Sequence, residues 1–239
     1  MGQGPLVIFL PSLGRDAHDF LPLASLMASQ GCRVCLPFPR GTGKSTGVLE
    51  GVTLNDLADD ICNVIRMEGK PAIVAGHAFG NWVARNLATR YPELVSAVVL
   101  LAAAHRNFPV ELRHQIDLCM NVDLDPTVRL QALQKTFFVD SQISKEWLTG
   151  WHPKLAMAQR NAAKACPPSE WWHGGDAPML DVQAELDPFA PTETAFELQN
   201  ELGADRVSVV RIANASHALI PEQTLAVSQA LLNFIHKVC

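Results

Sequence analysis

Five short runs of apolar residues punctuate the chain: Pro5–Leu10, Arg33–Pro37, Ala72–Ala75, Ala97–Ala102 and Val207–Ile212. They are rich in Val, Ile and Leu and alternate little, the pattern of strands covered on both faces. A sixth, Met179–Leu186, alternates better, with Leu180, Val182, Ala184 and Leu186 on one side. Asp181 falls inside that run with no obvious partner. Between the runs the apolar period lengthens to that of a helix. Leu21–Ser29 fills the first gap, and Leu54, Leu57, Ile61, Val64 and Ile65 form a stripe in the second, with Thr53 as N-cap. Asn81–Arg90 is the third helix, and Thr192–Leu202 lies between the last two strands. Glu222–Lys237 ends the chain with Pro221 at its start.

Alternation of this kind predicts an α/β fold: a parallel sheet with right-handed crossovers and helices on both faces. Ligands of such sheets bind beyond the C-terminal ends of the strands. One stretch breaks the rhythm. From Ala104 to Gly175 only helical patterns appear, at Val110–Met120, Pro126–Phe137, Ser144–Trp151 and Lys154–Lys164. That is too long for a loop. It divides the chain into a core, residues 1–103 and 176–239, and a helical cap subdomain, residues 104–175, inserted after the fourth strand.

A chain of 239 residues, 48% hydrophobic, suits one domain with a sizeable core. A net charge of −5 without a basic block argues against nucleic acid as a partner. No apolar stretch approaches the roughly 18 residues of a membrane span, and the first residues carry no signal-peptide pattern. A cytoplasmic protein acting on a small molecule, with no membrane partner, is the expectation. The six cysteines are scattered, and Cys32 and Cys35, three apart in a strand, point to opposite faces. Two buried, unpaired thiols are expected there, and neither a metal nor a cofactor is anticipated.

The chemistry concentrates at strand ends. Gly76-His77-Ala78-Phe79-Gly80 follows the third strand and opens a helix. This is the strand–turn–helix setting in which Gly-x-Ser-x-Gly forms a nucleophile elbow, but the middle residue is alanine. The Phe79 N–H, at the new helix N-terminus, and the Leu13 N–H, in the loop Pro11–Gly14, are candidate oxyanion donors. Asp187 ends the fifth strand and His217 follows the sixth, acid before base.

With these residues in this order, the chain resembles the α/β-hydrolase superfamily over essentially its whole length. Arg40-Gly41-Thr42-Gly43-Lys44-Ser45 is similar to the family's Arg-Gly-x-Gly-x-Ser turn. As a P-loop that segment fails, because Phe38 stands where the first glycine belongs. The family often begins with an antiparallel hairpin. This chain starts four residues before its first parallel strand, so six strands in the order 2-1-3-4-5-6 are predicted. The family's His-Gly after the first strand is Pro11-Ser12 here, and Ala78 stands at the position of its nucleophilic serine. Aminoacrylate hydrolases of pyrimidine degradation look similar at that position.

The resemblance implies a hydrolase of the Ser-His-Asp type acting on an ester, lactone, amide or similar bond. Its chemistry is impaired if Ala78 stands in for a serine. Two alternatives remain open. His217, poised by Asp187, could itself activate water or remove a substrate proton, in hydrolysis, C–C cleavage or cofactor-free oxygenation. Or the fold is a non-catalytic ligand binder, against which the intact acid–base pair argues. Ser12 is either a displaced nucleophile or a loop serine bonding locally, and the same choice applies to Ser216. His77 should point away from the cleft and serve structure. Trp147, Trp151, Trp171 and Trp172, with Phe108, Phe137 and Phe138, are either cap core or the lining of an apolar or aromatic substrate pocket. Arg15, His18, His105 and Arg106 are either grips for a substrate carboxylate or solvated loop residues.

Overall fold

A computed structural model describes residues 1–103, 111–140 and 142–239. Among these, six strands form one parallel sheet in the order β2-β1-β3-β4-β5-β6: β1 Leu6–Leu10, β2 Arg33–Cys35, β3 Ala72–His77, β4 Val95–Leu101, β5 Met179–Ala184 and β6 Val207–Ile212. The central strands β1, β3 and β5 are buried at every position, which is why their sequences lack alternation.

Each face of the sheet carries its own core. On one, α1 (Leu21–Ser29) and α9 (Thr224–Val238) pack against Val7, Phe9, Ile73, Ala75, Val99 and Val182. On the other, α2 (Leu54–Glu68) and α3 (Phe79–Arg90) cover Leu6, Ile8, Val74, Val98 and Met179. The α2 stripe is pinned at its start by a capping box: Thr53 Oγ1 accepts from Asp56 N–H at 3.1 Å, and Asp56 Oδ2 accepts from Thr53 N–H at 2.8 Å.

Between β4 and β5 lie α4 (Glu111–Met120), α5 (Pro126–Thr136), a 3₁₀ segment at Ile143–Leu148 and α6 (Pro153–Ala165). They share a third apolar cluster, which includes Cys119, Leu133, Phe137, Trp147 and Trp151 and reaches Phe189 and Ala218 of the core. The sequence pattern overestimated regularity here and near the C-terminus. The helix expected over Ser144–Trp151 is only the 3₁₀ segment, and Gly150 follows with φ 77°. The helix expected over Thr192–Leu202 is a 3₁₀ turn at Thr192–Thr194 followed by α7, Glu197–Leu202. The last helix runs unbroken as α9 but starts two residues later than expected: Pro221 lies inside a separate short helix, α8, Leu219–Glu222, and Gln223 (φ −136°, ψ 47°) stands between them.

Strand β5 stops two residues short of its apolar pattern. Beyond it, Glu185 N–H and Leu186 N–H turn to Ile212 O and Ala215 O, and the Leu186 side chain is exposed. Asp181 does have a partner: Gln183, two residues on and on the same strand face, donates to its Oδ2 at 2.8 Å. All six cysteines are free, and Cys35 is half-buried rather than buried. Among the described residues, no helix is long and apolar enough to cross a membrane.

Candidate active site

The turn after β3 is built by close backbone approach. A Cβ on Gly76 would stand 2.3 Å from Asn81 N and from Gly80 O, and one on Gly80 would stand 2.3 Å from Leu10 O. Only glycine fits at either position, so the start of α3 packs directly on the end of β1 and on the Pro11 carbonyl. Between the glycines, Ala78 has φ 48° and ψ −110°, a conformation that L-residues rarely adopt. Neighbours hold it there. Its N–H donates to Leu101 O at 3.0 Å, and its carbonyl accepts from both the backbone N–H and the Nδ2 of Asn81. The Ala78 methyl is 8% exposed, and Phe79 begins α3 immediately behind it.

The acid and the base meet beyond β5 and β6. His217 Nδ1 lies 2.9 Å from Asp187 Oδ2, and both residues are buried. The carboxylate fixes the tautomer: Nδ1 carries the proton and Nε2 is left as the basic nitrogen. The second oxygen of Asp187 accepts the Phe189 N–H at 2.8 Å, so a turn within the loop orients the acid. Rings close around the imidazole. Phe189, Phe137 and His77 have centroids 4.3, 5.5 and 5.5 Å from that of His217.

His77 does not point away, as its position in sequence suggested. Its Nε2 donates to the His217 carbonyl at 2.8 Å, which joins the β3 turn to the loop of the base. That bond requires the proton on Nε2, and the buried Nδ1 has no partner among the described residues. Burial, helped by the nearby His217, pushes the His77 pKa down to about 3, so the ring is neutral.

The loop after β1 is fastened to the inserted helices. Gly14 N–H donates to Gln159 Oε1 at 2.8 Å, and His152 N–H donates to Gly14 O at 2.8 Å. The half-buried Leu13 packs where the α2–α3 core meets the aromatic cluster. Ser12 is buried, and its carbonyl accepts from Arg15 N–H at 3.1 Å. Arg15 does grip a carboxylate, but it is that of Asp19, through Nε at 2.9 Å and Nη2. Its guanidinium lies over the rings of Trp147 and Trp151 at 4.3 and 4.9 Å and donates to Thr149 O. Arg15 therefore serves packing between this loop and the aromatic cluster. Asp16 receives His152 Nε2 and His18 Nδ1, each at 2.8 Å; burial acts to raise its pKa, and these bonds outweigh it.

The aromatic candidates separate. Trp147 and Trp151 belong to the cluster around His217. Trp172 does not: it packs on the α2–α3 face, stacks under the Arg85 guanidinium at 4.3 Å and donates to Glu201 at 3.0 Å. His105, Arg106 and Phe108 lie outside the described residues. Ser216 Oγ donates to Leu186 O at 3.3 Å, a partner 30 residues away in sequence beyond β5 rather than in its own loop. A cavity of about 390 Å³ lined by His18, Leu36 and Phe38 shares no residue with this site. Residues that the sequence left unremarked are Phe189, Gln159 and Glu222. Of these, Phe189 alone carried a local signal, an Asp two positions earlier.

A buried His–Asp pair with aromatic rings packed around the imidazole can take up and return a proton. Comparisons with known proteins agree with that architecture. A family model, the Alpha/beta hydrolase family, matches residues 7–230. The 2-(acetamidomethylene)succinate hydrolase of Mesorhizobium japonicum is 33% identical over 101 residues, 42% of this chain and 36% of that protein. Thioesterase TesA of Mycobacterium marinum is 24% identical over 169 residues, 69% of this chain and 66% of that protein. The matches thus span about one to two thirds of these relatives' lengths. An esterase structure from Exiguobacterium antarcticum superposes with a TM-score of 0.81 at 17% identity, covering 99% of this chain and 93% of that one, a likeness of fold. With the match running over nearly the whole sequence, the chain belongs to the alpha/beta hydrolase family.

Proposed function

We propose that the protein is a hydrolase for an ester, lactone, amide or similar bond in a small apolar or aromatic substrate, with the nucleophile position occupied by Ala78. The observation that carries the reading is the buried His217–Asp187 pair, joined through His77 to the strained turn at Ala78. In this reading the substrate carbonyl sits against the N–H groups of Leu13 and Phe79, at the mouth of the sheet. Trp147, Trp151, Phe137 and Phe189 cover it, and residues 104–175 act as a cap over the core. Ser12 stands beside the donor loop as a substrate contact.

With a serine at position 78, His217 Nε2 takes the hydroxyl proton as the oxygen attacks the carbonyl. It then returns that proton to the leaving group, and Asp187 stabilises the imidazolium between the two steps. With alanine that covalent path is closed. One specific observation favours a second reading, in which His217 acts on water directly: the acid–base pair is complete although position 78 has no hydroxyl. Water would then lose its proton to Nε2 and add to the carbonyl held by the same donors.

The chain as it stands, Ala78→Ser and Ala78→Gly, assayed with an ester panel and a serine-directed phosphonate, separate the readings. Turnover and labelling that arise only in Ala78→Ser support a serine-type hydrolase site. Unlabelled turnover by the Ala78 protein that is lost in His217→Ala supports the water-activating base. No turnover in any form, together with tight ligand binding, overturns both.

A further inference from the structure

The peptide around His217 is held on three sides, and one of the three holders has no part in the chemistry so far described. His217 O accepts from His77 on β3. Ala218 N–H donates to Phe137 O at 2.9 Å, just beyond the end of α5. Ser216 N–H donates to Glu222 Oε2 at 2.7 Å. The other oxygen of Glu222 reaches the segment after α5, where Oε1 accepts Val139 N–H at 2.5 Å and Asp140 N–H at 3.1 Å. Phe137, in that same segment, is one of the rings that cover the imidazole, 5.5 Å from it.

We propose that Glu222 is a positioning residue that ties the 137–140 segment to the loop of His217, so that covering the site and seating the base are one event. The proposal rests on reading His217 as the base. The physical argument is one of valence. Three backbone donors from two distant stretches of chain need acceptors. A carboxylate offers two oxygens, here one to each stretch. A glutamine offers one, and its amide nitrogen would face a donor on the other side. Glu222→Gln can therefore satisfy either the cover or the base loop but not both. If the cover lifts, Phe137 leaves both the imidazole face and Ala218 N–H. If the base loop slackens, the His217–Asp187 bond loses its fixed geometry.

The test uses the full chain and its Glu222→Gln variant. Amide hydrogen exchange read by NMR follows Val139, Asp140, Ser216 and Ala218, and the Nδ1 proton of His217 is observed directly. In the unsubstituted chain the four amides are expected to share a common protection factor, the intrinsic rate divided by the observed one, since one opening exposes them all. In Glu222→Gln they are expected to exchange about tenfold faster or more, and the His217 Nδ1 signal to broaden. In an Ala78→Ser background, kcat is expected to fall about tenfold or more with KM changed far less. Unequal protection factors in the unsubstituted chain, or an unaltered Nδ1 signal in a folded Glu222→Gln protein, would overturn the coupling and leave Glu222 a local brace. If Ala78→Ser shows no turnover, it is the hydrolase reading that fails; the exchange and Nδ1 measurements decide the role of Glu222 without it.

Discussion

Two aspartates mark strand β5 and the turn beyond it, Asp181 in the strand's interior and Asp187 three residues past its end, and the structure treats them differently. Inside the sheet, the backbone donors around Asp181 are committed to ladders with β4 and β6, where Asp181 stands level with Leu100 and Val209. Only a side chain can serve it, and Gln183 does; the second, buried oxygen has no partner among the described residues. Burial consequently pushes the Asp181 pKa up to about 6, against smaller lowering effects of Gln183 and Arg85. Past the strand end the amides of Glu185, Leu186 and Asp187 are still bonded to backbone carbonyls, and only in the loop beyond them does a backbone donor become available to a carboxylate. Asp187 takes the Phe189 N–H on one oxygen and the His217 ring on the other. Equal burial does not make equal environments. A strand terminus can hold a working carboxylate because its loop supplies donors that a strand interior has already spent.

Substitutions at these two places test that contrast. The largest effect is expected from Asp187→Asn in an Ala78→Ser background, where steady-state hydrolysis should lose on the order of 10³–10⁴ in kcat, because the imidazole is held in the wrong tautomer. A loss below tenfold would show that the pair does not orient the base. Gln183→Leu strips Asp181 of its donor, and urea titration should register a destabilisation of about 1–3 kcal/mol with an unchanged slope. Asp181→Asn should act in the opposite direction and more weakly. The folded-state pKa is raised from 3.8 to about 6, so the native state holds the proton more tightly than the unfolded chain. The cost of ionising it grows as pH rises from about 4 to about 6 and is constant above. The variant should therefore gain stability near pH 8 and nothing below about pH 4. A gain that is the same at both pH values would mean that packing, not charge, is responsible.

The six strands and their order were legible because a sheet covered on both faces demands uninterrupted apolar runs, and those runs stand out. So were the strand ends at which Asp187 and His217 lie, since topology alone puts them on one edge. What stayed hidden depends on contacts between distant stretches. Arg15 reads as a free cation until folding brings Asp19, Trp147 and Trp151 around it. Trp172 reads as a neighbour of Trp151, but the chain crosses to the α2–α3 face before reaching it. His77 serves structure as expected, but its direction was hidden for a similar reason: its partner is a carbonyl far along the chain, and no local pattern announces that. Helix length was overestimated over Thr192–Leu202, where Phe196 leaves the helical region and α7 starts only after it.

The backbone at residue 78 is kept in its unfavourable twist by Leu101, by Asn81 and by two glycines that admit no side chain, not by anything the residue itself supplies. Serine and alanine would tolerate that twist about equally, at a cost of order 1–3 kcal/mol for either. Reactivity at this corner is thus separable from architecture. The corner keeps its form with or without a hydroxyl, and a single oxygen atom, added without moving the main chain, is the whole difference between an inert bend and one that could attack.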